Sequence, residues 1–524
     1  MDFLRTIGIL MLTCVILTLL WMKKKSNFWK NKGVSTVSHS IIWGNMKDAI
    51  FQSNSFCEIV DYYYRIFKSR GLKYGGIYFL WDPLFFPLDL GIIKSIMQTD
   101  FQHFVDRGIY YDEKNDPLSA HLFSLAGKKW KLLRHKLSPT FTSGKMKMMF
   151  DTLVDCTGGL YKVLDRDLDN AVDIKDVLGR FTTDIIGSCA FGIDCNSLEN
   201  PDSEFRAKGK RLFHSTLWEN ISALSTFMLP QISRIFKRKI TPQEVNDFFM
   251  GVVRNNVAYR EKNNVFRKDF MHLLIQLKNR GKLVDDEKLS VENISEEENK
   301  ITLQEIAAQA FIFFEAGFET SSTTMTFCLY ELAKHKNIQE KLRGEIKKVF
   351  AKHNHQLTYE AVMDMPYLEQ TINETLRKYP PLVNLSRICT KEYQVPGTDL
   401  VLEEGVRVMI PVYGIHHDPD YYPDPEKFDP DRFSEENKQN IPPFAFIPFG
   451  EGPRICIGAR FGRMQTKVGL IALLLNYEFT VNAKTQEPLQ YDPQSIILST
   501  KGDMWLNIKK VSERIDLMTP KDIN

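Results

Sequence analysis

The chain has 524 residues, 43% of them hydrophobic and 12% aromatic, so it can bury a large core and is too apolar for a disordered protein. Its net charge of +3, from 68 basic and 65 acidic side chains, excludes the concentrated basic excess that nucleic-acid binding needs. Eight cysteines at irregular spacings, without a Cys-x-x-Cys pair, exclude a disulfide scaffold and a zinc ribbon and fit a reducing compartment.

Residues 7–22, IGILMLTCVILTLLWM, carry no charge, and Lys23, Lys24 and Lys25 follow at once. The run is at the short end for a bilayer span, which suits the thinner endoplasmic reticulum membrane. No small-x-small cleavage site follows it, and the basic residues flank the wrong end for a signal peptide. The positive-inside rule keeps the lysines cytosolic. The expectation is a single-pass anchor over residues 1–25, a polar linker over 26–45 and one cytosolic domain over 46–524.

Residues 47–100 mix an amphipathic helix with strand-like runs such as GIYFL at 76–80, and residues 125–280 follow mostly helical periodicity. Within the latter, Trp130 and Arg134 stand four apart, which places an indole and a guanidinium on one helix face. Lys128, Lys129, Lys131, His135 and Lys136 add a basic surface there. The acidic stretch 281–300 reads as a loop between two long helices.

Thr302 and Glu305 form a capping box ahead of a long apolar helix reaching about His335. Inside it lies Ala316-Gly317-Phe318-Glu319-Thr320. Gly317 weakens the helix, and the Thr320 hydroxyl can bond the Ala316 carbonyl, so a local opening is expected with an acid and an alcohol beside it. Such a groove can hold dioxygen and deliver the protons that its reductive cleavage requires.

Further on, Glu374 and Arg377 are neighbours on one helical face, followed by Tyr379-Pro380-Pro381. Arg387 falls in a short strand-like run, and similar runs recur at 400–402 and 406–410. The segment Pro425-Glu426-Lys427-Phe428-Asp429-Pro430-Asp431-Arg432-Phe433 precedes the most informative stretch, Phe449-Gly450-Glu451-Gly452-Pro453-Arg454-Ile455-Cys456-Ile457-Gly458. Two glycines allow a sharp bend, and a helix beginning near Ile457 would aim free N–H groups and its positive dipole end at the Cys456 sulfur. Arg454 adds a cation suited to a ligand carboxylate.

This last stretch matches every fixed position of Phe-x-x-Gly-x-Arg-x-Cys-x-Gly, and with it the chain resembles the cytochrome P-450 haem-thiolate monooxygenases. The Ala-Gly-x-Glu-Thr, Glu-x-x-Arg and Pro-x-x-Phe-x-Pro-x-Arg-Phe elements extend the resemblance over nearly all of residues 30–510. It implies a mainly α fold with a minor β portion, preceded by the membrane helix, in which 46–524 is a catalytic haem domain. It implies haem b with Cys456 as axial thiolate, in a loop shaped by Phe449, Gly450 and Gly458. Trp130, Arg134, Arg387 and Arg454 are then expected at the propionates, Ala316, Gly317, Glu319 and Thr320 at the oxygen site, and Glu374, Arg377 and Arg432 in a buried network.

The resemblance also implies that O2 is a substrate and that NADPH acts only indirectly, through a separate membrane-bound flavoprotein reductase, because the chain has no dinucleotide fingerprint. Runs such as residues 180–187 and 310–320 are similar to the insect microsomal branch associated with plant toxins and insecticides. Lipophilic substrates are therefore expected, in a pocket drawn from Phe123, Phe213, Phe311, Val383, Leu385 and Ile497. Two other readings stay open: one endogenous substrate such as a hormone or pheromone precursor, and a haem-thiolate sensor or isomerase needing no external electrons. One departure stands out, since members with an anchor usually follow it with a proline-rich hinge and the first proline here is Pro83.

Overall fold

The computed structural model describes residues 2–168, 170–213, 233, 235–283, 300–511, 515 and 517. The predicted loop 281–300 falls outside the described residues except at its ends.

Helix α1 (Asp2–Ser26) contains the one described helical span, Phe3–Ser26, long and apolar enough to cross a membrane, and none of its apolar window is buried in protein. Its end touches the body, with Trp21 edge-on to Trp81 at 5.6 Å between centroids. Within 26–45, expected as a polar linker, residues 28–45 fold onto the body. Trp29 is fully buried, its Nε1 donates to the Ile77 carbonyl at 3.0 Å, and its backbone N–H donates to the Tyr78 hydroxyl at 3.1 Å. A Cβ on Gly76 would come within 2.4 Å of that indole, so only glycine permits this approach. One buried indole here outweighs the polar composition of its neighbours.

Strands β1 (Tyr74–Phe79) and β2 (Asp82–Pro87) form a hairpin, and β4 (Leu385–Ile388) and β7 (Arg407–Ile410) complete a four-stranded sheet in the order β1-β2-β7-β4. Arg387 pairs with Val408 in this sheet. A second sheet joins β3 (Ala171–Asp173), β9 (Trp505–Lys510) and β8 (Tyr477–Val481) in the order β3-β9-β8, and β5 (Tyr393–Gln394) pairs with β6 (Val401–Leu402). The strand-like runs in the sequence are thus realised within a residue or two.

The rest of the body is helical. Helices α2 (Gly127–Leu137), α3 (Ile174–Ile186), α4 (Leu303–Lys334), α5 (Pro366–Lys378) and α6 (Ala459–Asn476) frame the site. The capping box at α4 forms as expected, with Thr302 Oγ1 accepting from Glu305 N–H at 3.1 Å and Glu305 Oε2 accepting from Thr302 N–H at 2.7 Å. Every residue from Ser321 to Ala333 is buried, and Phe314 and Phe318 are buried on the preceding turns. Each such phenylalanine contributes ~1.5–3 kcal/mol by leaving water.

Candidate active site

Phe449 to Gly458 forms a tight bend. Gly450 and Gly452 take left-handed angles, φ +71° and +72°, and a Cβ at Gly452 would lie 1.9 Å from the Met97 carbonyl. Cys456 N–H donates to the Phe449 carbonyl at 2.9 Å and closes the bend, while the Arg463 guanidinium covers the Phe449 ring at 4.9 Å. Helix α6 begins at Ala459 with Gly458 as its N-cap, two residues later than expected, after a 3-10 turn at Gly452–Arg454. Burial pushes the Cys456 thiol pKa up, opposed by the Gly458 N–H and by the Arg107 and Arg134 guanidiniums. The cysteine nevertheless keeps open surface. A side chain that is both desolvated and accessible faces an interior void.

Helix α4 presents a second accessible patch. Ala316 is exposed in the middle of an otherwise buried helix, and Glu315, Gly317, Glu319 and Thr320 are half-buried around it. Thr320 Oγ1 donates to the Ala316 carbonyl at 2.6 Å, as the sequence predicts. The expected opening of the backbone is absent: α4 is one unbroken α-helix. Gly317 serves close packing instead, since a Cβ there would come within 2.4 Å of Ile186 on α3. Its carbonyl accepts from Gln465 Nε2 at 3.2 Å, which ties α4 to α6 just beyond the cysteine bend.

Arginines converge beside Cys456. Arg134 donates to the Ile455 carbonyl at 2.9 Å. Arg454 donates to the carbonyls of Val105 at 2.8 Å and Leu125 at 2.9 Å, and lies 3.9 Å over the Trp130 ring. Arg387 is buried; it donates to the Ser386 carbonyl at 2.8 Å, yet its Nε has no hydrogen-bond partner among the described residues. Sequence reasoning missed a fourth, Arg107, which donates to the Phe123 carbonyl at 3.0 Å and to the Arg454 carbonyl at 3.3 Å. No motif contains it; only the fold brings it here.

These cations destabilise one another. Burial and then Arg387 hold Arg454 down at about 9, burial holds Arg387 at about 10, and burial with Arg387 and Arg454 holds Arg107 well below its ordinary value. The one carboxylate paired with the cluster among the described residues is Asp106, 3.5 Å from Arg454 Nη2. Four guanidiniums against one carboxylate call for a further dianion, since buried charge is tolerated only when compensated. A haem, with two propionates and an iron open to a thiolate, fits this donor set.

Behind the bend, Glu374 and Arg377 are both wholly buried and joined by two bonds of 2.8 Å. Arg377 also donates to the His416 carbonyl at 3.1 Å, and Glu374 Oε1 accepts from Asp429 N–H at 3.0 Å. Arg432 joins as expected, its Nε 3.4 Å from Glu374 Oε1 and its Nη2 donating to the Asp424 carbonyl at 2.8 Å. Burial raises the Glu374 pKa and Arg377 opposes it.

The six expected pocket residues divide. Phe123 is 38% exposed against Arg107, and a Leu385 methyl lies 3.5 Å from where a Gly450 Cβ would be, so both stand near the bend. Phe311 packs on Phe249 at 5.3 Å and is core, as is Val383, whose carbonyl accepts from Tyr413 N–H. Ile497 is buried, and the neighbouring Leu498 N–H is held by the Pro381 carbonyl. The Phe213 side chain lies outside the described residues.

A family model described as Cytochrome P450 matches residues 49–507. Probable cytochrome P450 6a14 from Drosophila melanogaster is 43% identical over 496 residues, 93% of this chain and 96% of the relative. Cytochrome P450 6a2 from the same fly is 41% identical over 492 residues, 93% and 96% respectively, and cytochrome P450 6A1 from Musca domestica is 40% identical over 505 residues, 95% and 97%. Matches of this extent, on a fold whose buried arginines and accessible thiol suit one prosthetic group, leave one assignment. The chain belongs to the cytochrome P450 family and is a haem-thiolate monooxygenase.

Proposed function

We propose that this protein is an anchored enzyme of the endoplasmic reticulum, with its catalytic domain in the cytosol, that oxidises lipophilic foreign compounds using electrons passed from NADPH by a separate flavoprotein reductase. The observation that carries the reading is the accessible surface kept by Cys456 at the arginine-lined bend and by the Ala316–Thr320 patch of an otherwise buried helix, with Phe123 partly exposed beside Arg107. Residues 1–25 would be the anchor and 46–524 the catalytic domain, with 26–45 packed between them.

In this reading Cys456 would supply the thiolate that binds the haem iron, Arg107, Trp130, Arg134, Arg387 and Arg454 would hold the propionates, and Phe449, Gly450 and Gly458 would shape the loop. Bound haem supplies activation of O2, one atom of which enters the substrate while the other leaves as water. Ala316 keeps the α4 wall low enough for a small ligand. Thr320 donates its own proton to the Ala316 carbonyl, so its oxygen is left to accept from water in the void and to pass protons on, with Glu319 one residue away. Thr320→Ala should lower product formed per NADPH consumed by roughly tenfold or more, at the low end of what positioned proton transfer contributes. Unchanged coupling in that variant would remove Thr320 from the role.

Lys128, Lys129 and Lys131 are exposed on α2, while Trp130 and Arg134 of the same helix face the cysteine bend. That helix therefore offers a basic docking face directly outside the site. Joint Lys128→Glu and Lys131→Glu changes should slow reduction by the reductase and flatten its dependence on salt. Equal rates at every ionic strength would place the partner elsewhere.

The test of the whole reading is reconstitution of the full chain with reductase in phosphatidylcholine vesicles, followed by a panel of lipophilic compounds. Oxidation of several, dependent on NADPH and O2, is the expected outcome. Turnover of a single endogenous compound would favour the dedicated-substrate reading, and product without NADPH would overturn both.

A further inference from the structure

We propose that Glu315 is a substrate-recognition carboxyl that selects lipophilic compounds carrying a protonated basic nitrogen. The inference rests on the monooxygenase reading above and names the substrate class for the same site.

Glu315 immediately precedes Ala316 on α4 and shares its interruption of burial. At 100° per residue it falls in the row containing Ile312 and Glu319, on the edge of the face that carries Ala316 and Thr320. The neighbours that face away, Phe314 and Phe318, are packed into the core. Glu315 therefore stands at one edge of the accessible arc that runs through Glu319, Ala316 and Thr320, beside the packed side of the helix.

Its surroundings do not explain an acid at this position. No hydrogen bond or ion pair reaches it among the described residues. Desolvation alone raises its pKa, to about 7, and no cation offsets that rise. The arginines near the site are engaged with carbonyls around Cys456 and the bend. A structural role would show a partner, as Glu374 does. The Glu315 side chain is half-buried and keeps surface that a ligand can reach. Glu319, four residues on, is its neighbour on the helix and is half-buried as Glu315 is.

A ligand can supply what the protein does not. An ammonium brought alongside would ionise Glu315 and gain a charge-assisted hydrogen bond. A neutral hydrocarbon of the same shape would gain nothing from it. A proton-relay role fits less well, because a relay needs a hydrogen-bonded chain and Glu315 has no such link among the described residues.

The test compares a dimethylaminoalkylbenzene with the hydrocarbon in which isopropyl replaces dimethylamino, using the haem-loaded full chain. Affinities are measured by equilibrium dialysis, and oxidation with reductase and NADPH is scored separately. Glu315→Gln should weaken amine binding by roughly tenfold or more, the loss of a charge-assisted bond, and leave the hydrocarbon within about twofold. Glu315→Leu should do the same to the amine and bind the hydrocarbon at least as well as the native protein. Equal losses for both ligands, or none for either, would overturn the assignment, as would reduced oxidation of both ligands with unchanged binding. If native protein binds both but oxidises neither, the monooxygenase reading fails while the Glu315 assignment is still decided by dialysis.

Discussion

Glu374→Ala is expected to yield no stable haem protein. Glu374 and Arg377 are wholly buried, and the carboxylate is met by two arginine bonds of 2.8 Å, the Asp429 N–H and Arg432. Removing it strands an arginine charge in the core, a loss of about 3–5 kcal/mol. A domain has only about 5–15 kcal/mol in total. The network joins α5 to the segment before the cysteine bend, so its collapse should displace the bend as well. Holoprotein yield by haem absorbance, together with the urea midpoint of whatever is recovered, measures the effect. Arg432→Ala should be milder, since that side chain is 13% exposed and the Glu374–Arg377 fork remains. Normal holoprotein from Glu374→Ala would contradict the account.

Cys456→Ala is the second large effect, and it acts on chemistry while sparing the fold. The side chain is small and accessible, and the bend is closed by its backbone N–H on the Phe449 carbonyl, which alanine retains. Secondary structure and expression should therefore stay close to native, whereas oxidation should fall by more than the roughly 10–100-fold lost when a mere supporting contact to a metal ligand is removed. Substrate oxidation at constant protein concentration and circular dichroism together distinguish this from unfolding. Activity within a few-fold of native would remove Cys456 from the centre of the site.

Much of this was legible because the signals are local. The capping box at Thr302, the Thr320 bond to Ala316, the pairing of Glu374 with Arg377, and the short strands around Arg387 and Val408 all follow from spacing along the chain. What was illegible depends on contacts between distant segments. Arg107 reaches Arg454 across 347 positions, and no motif announces it. Gly317 looked like a helix opener and is a packing residue, because only the fold places Ile186 against it. Phe311 had the composition of a pocket residue and belongs to an aromatic core with Phe249. Trp29 turns a polar stretch into packed structure, through a cavity formed by β1 far along the chain. Glu315 sat in plain view within a recognisable run, yet its isolation from every described partner is visible only in three dimensions.

The most direct measurement is the absorption spectrum of the reduced, carbon monoxide-treated protein, recorded for the native chain and for Cys456→Ser. The account predicts the strongly red-shifted Soret band of a thiolate-ligated haem in the native protein and its loss in the variant. The same band in both proteins, or an unshifted band in the native one, would mean that the sulfur of Cys456 does not bind the iron.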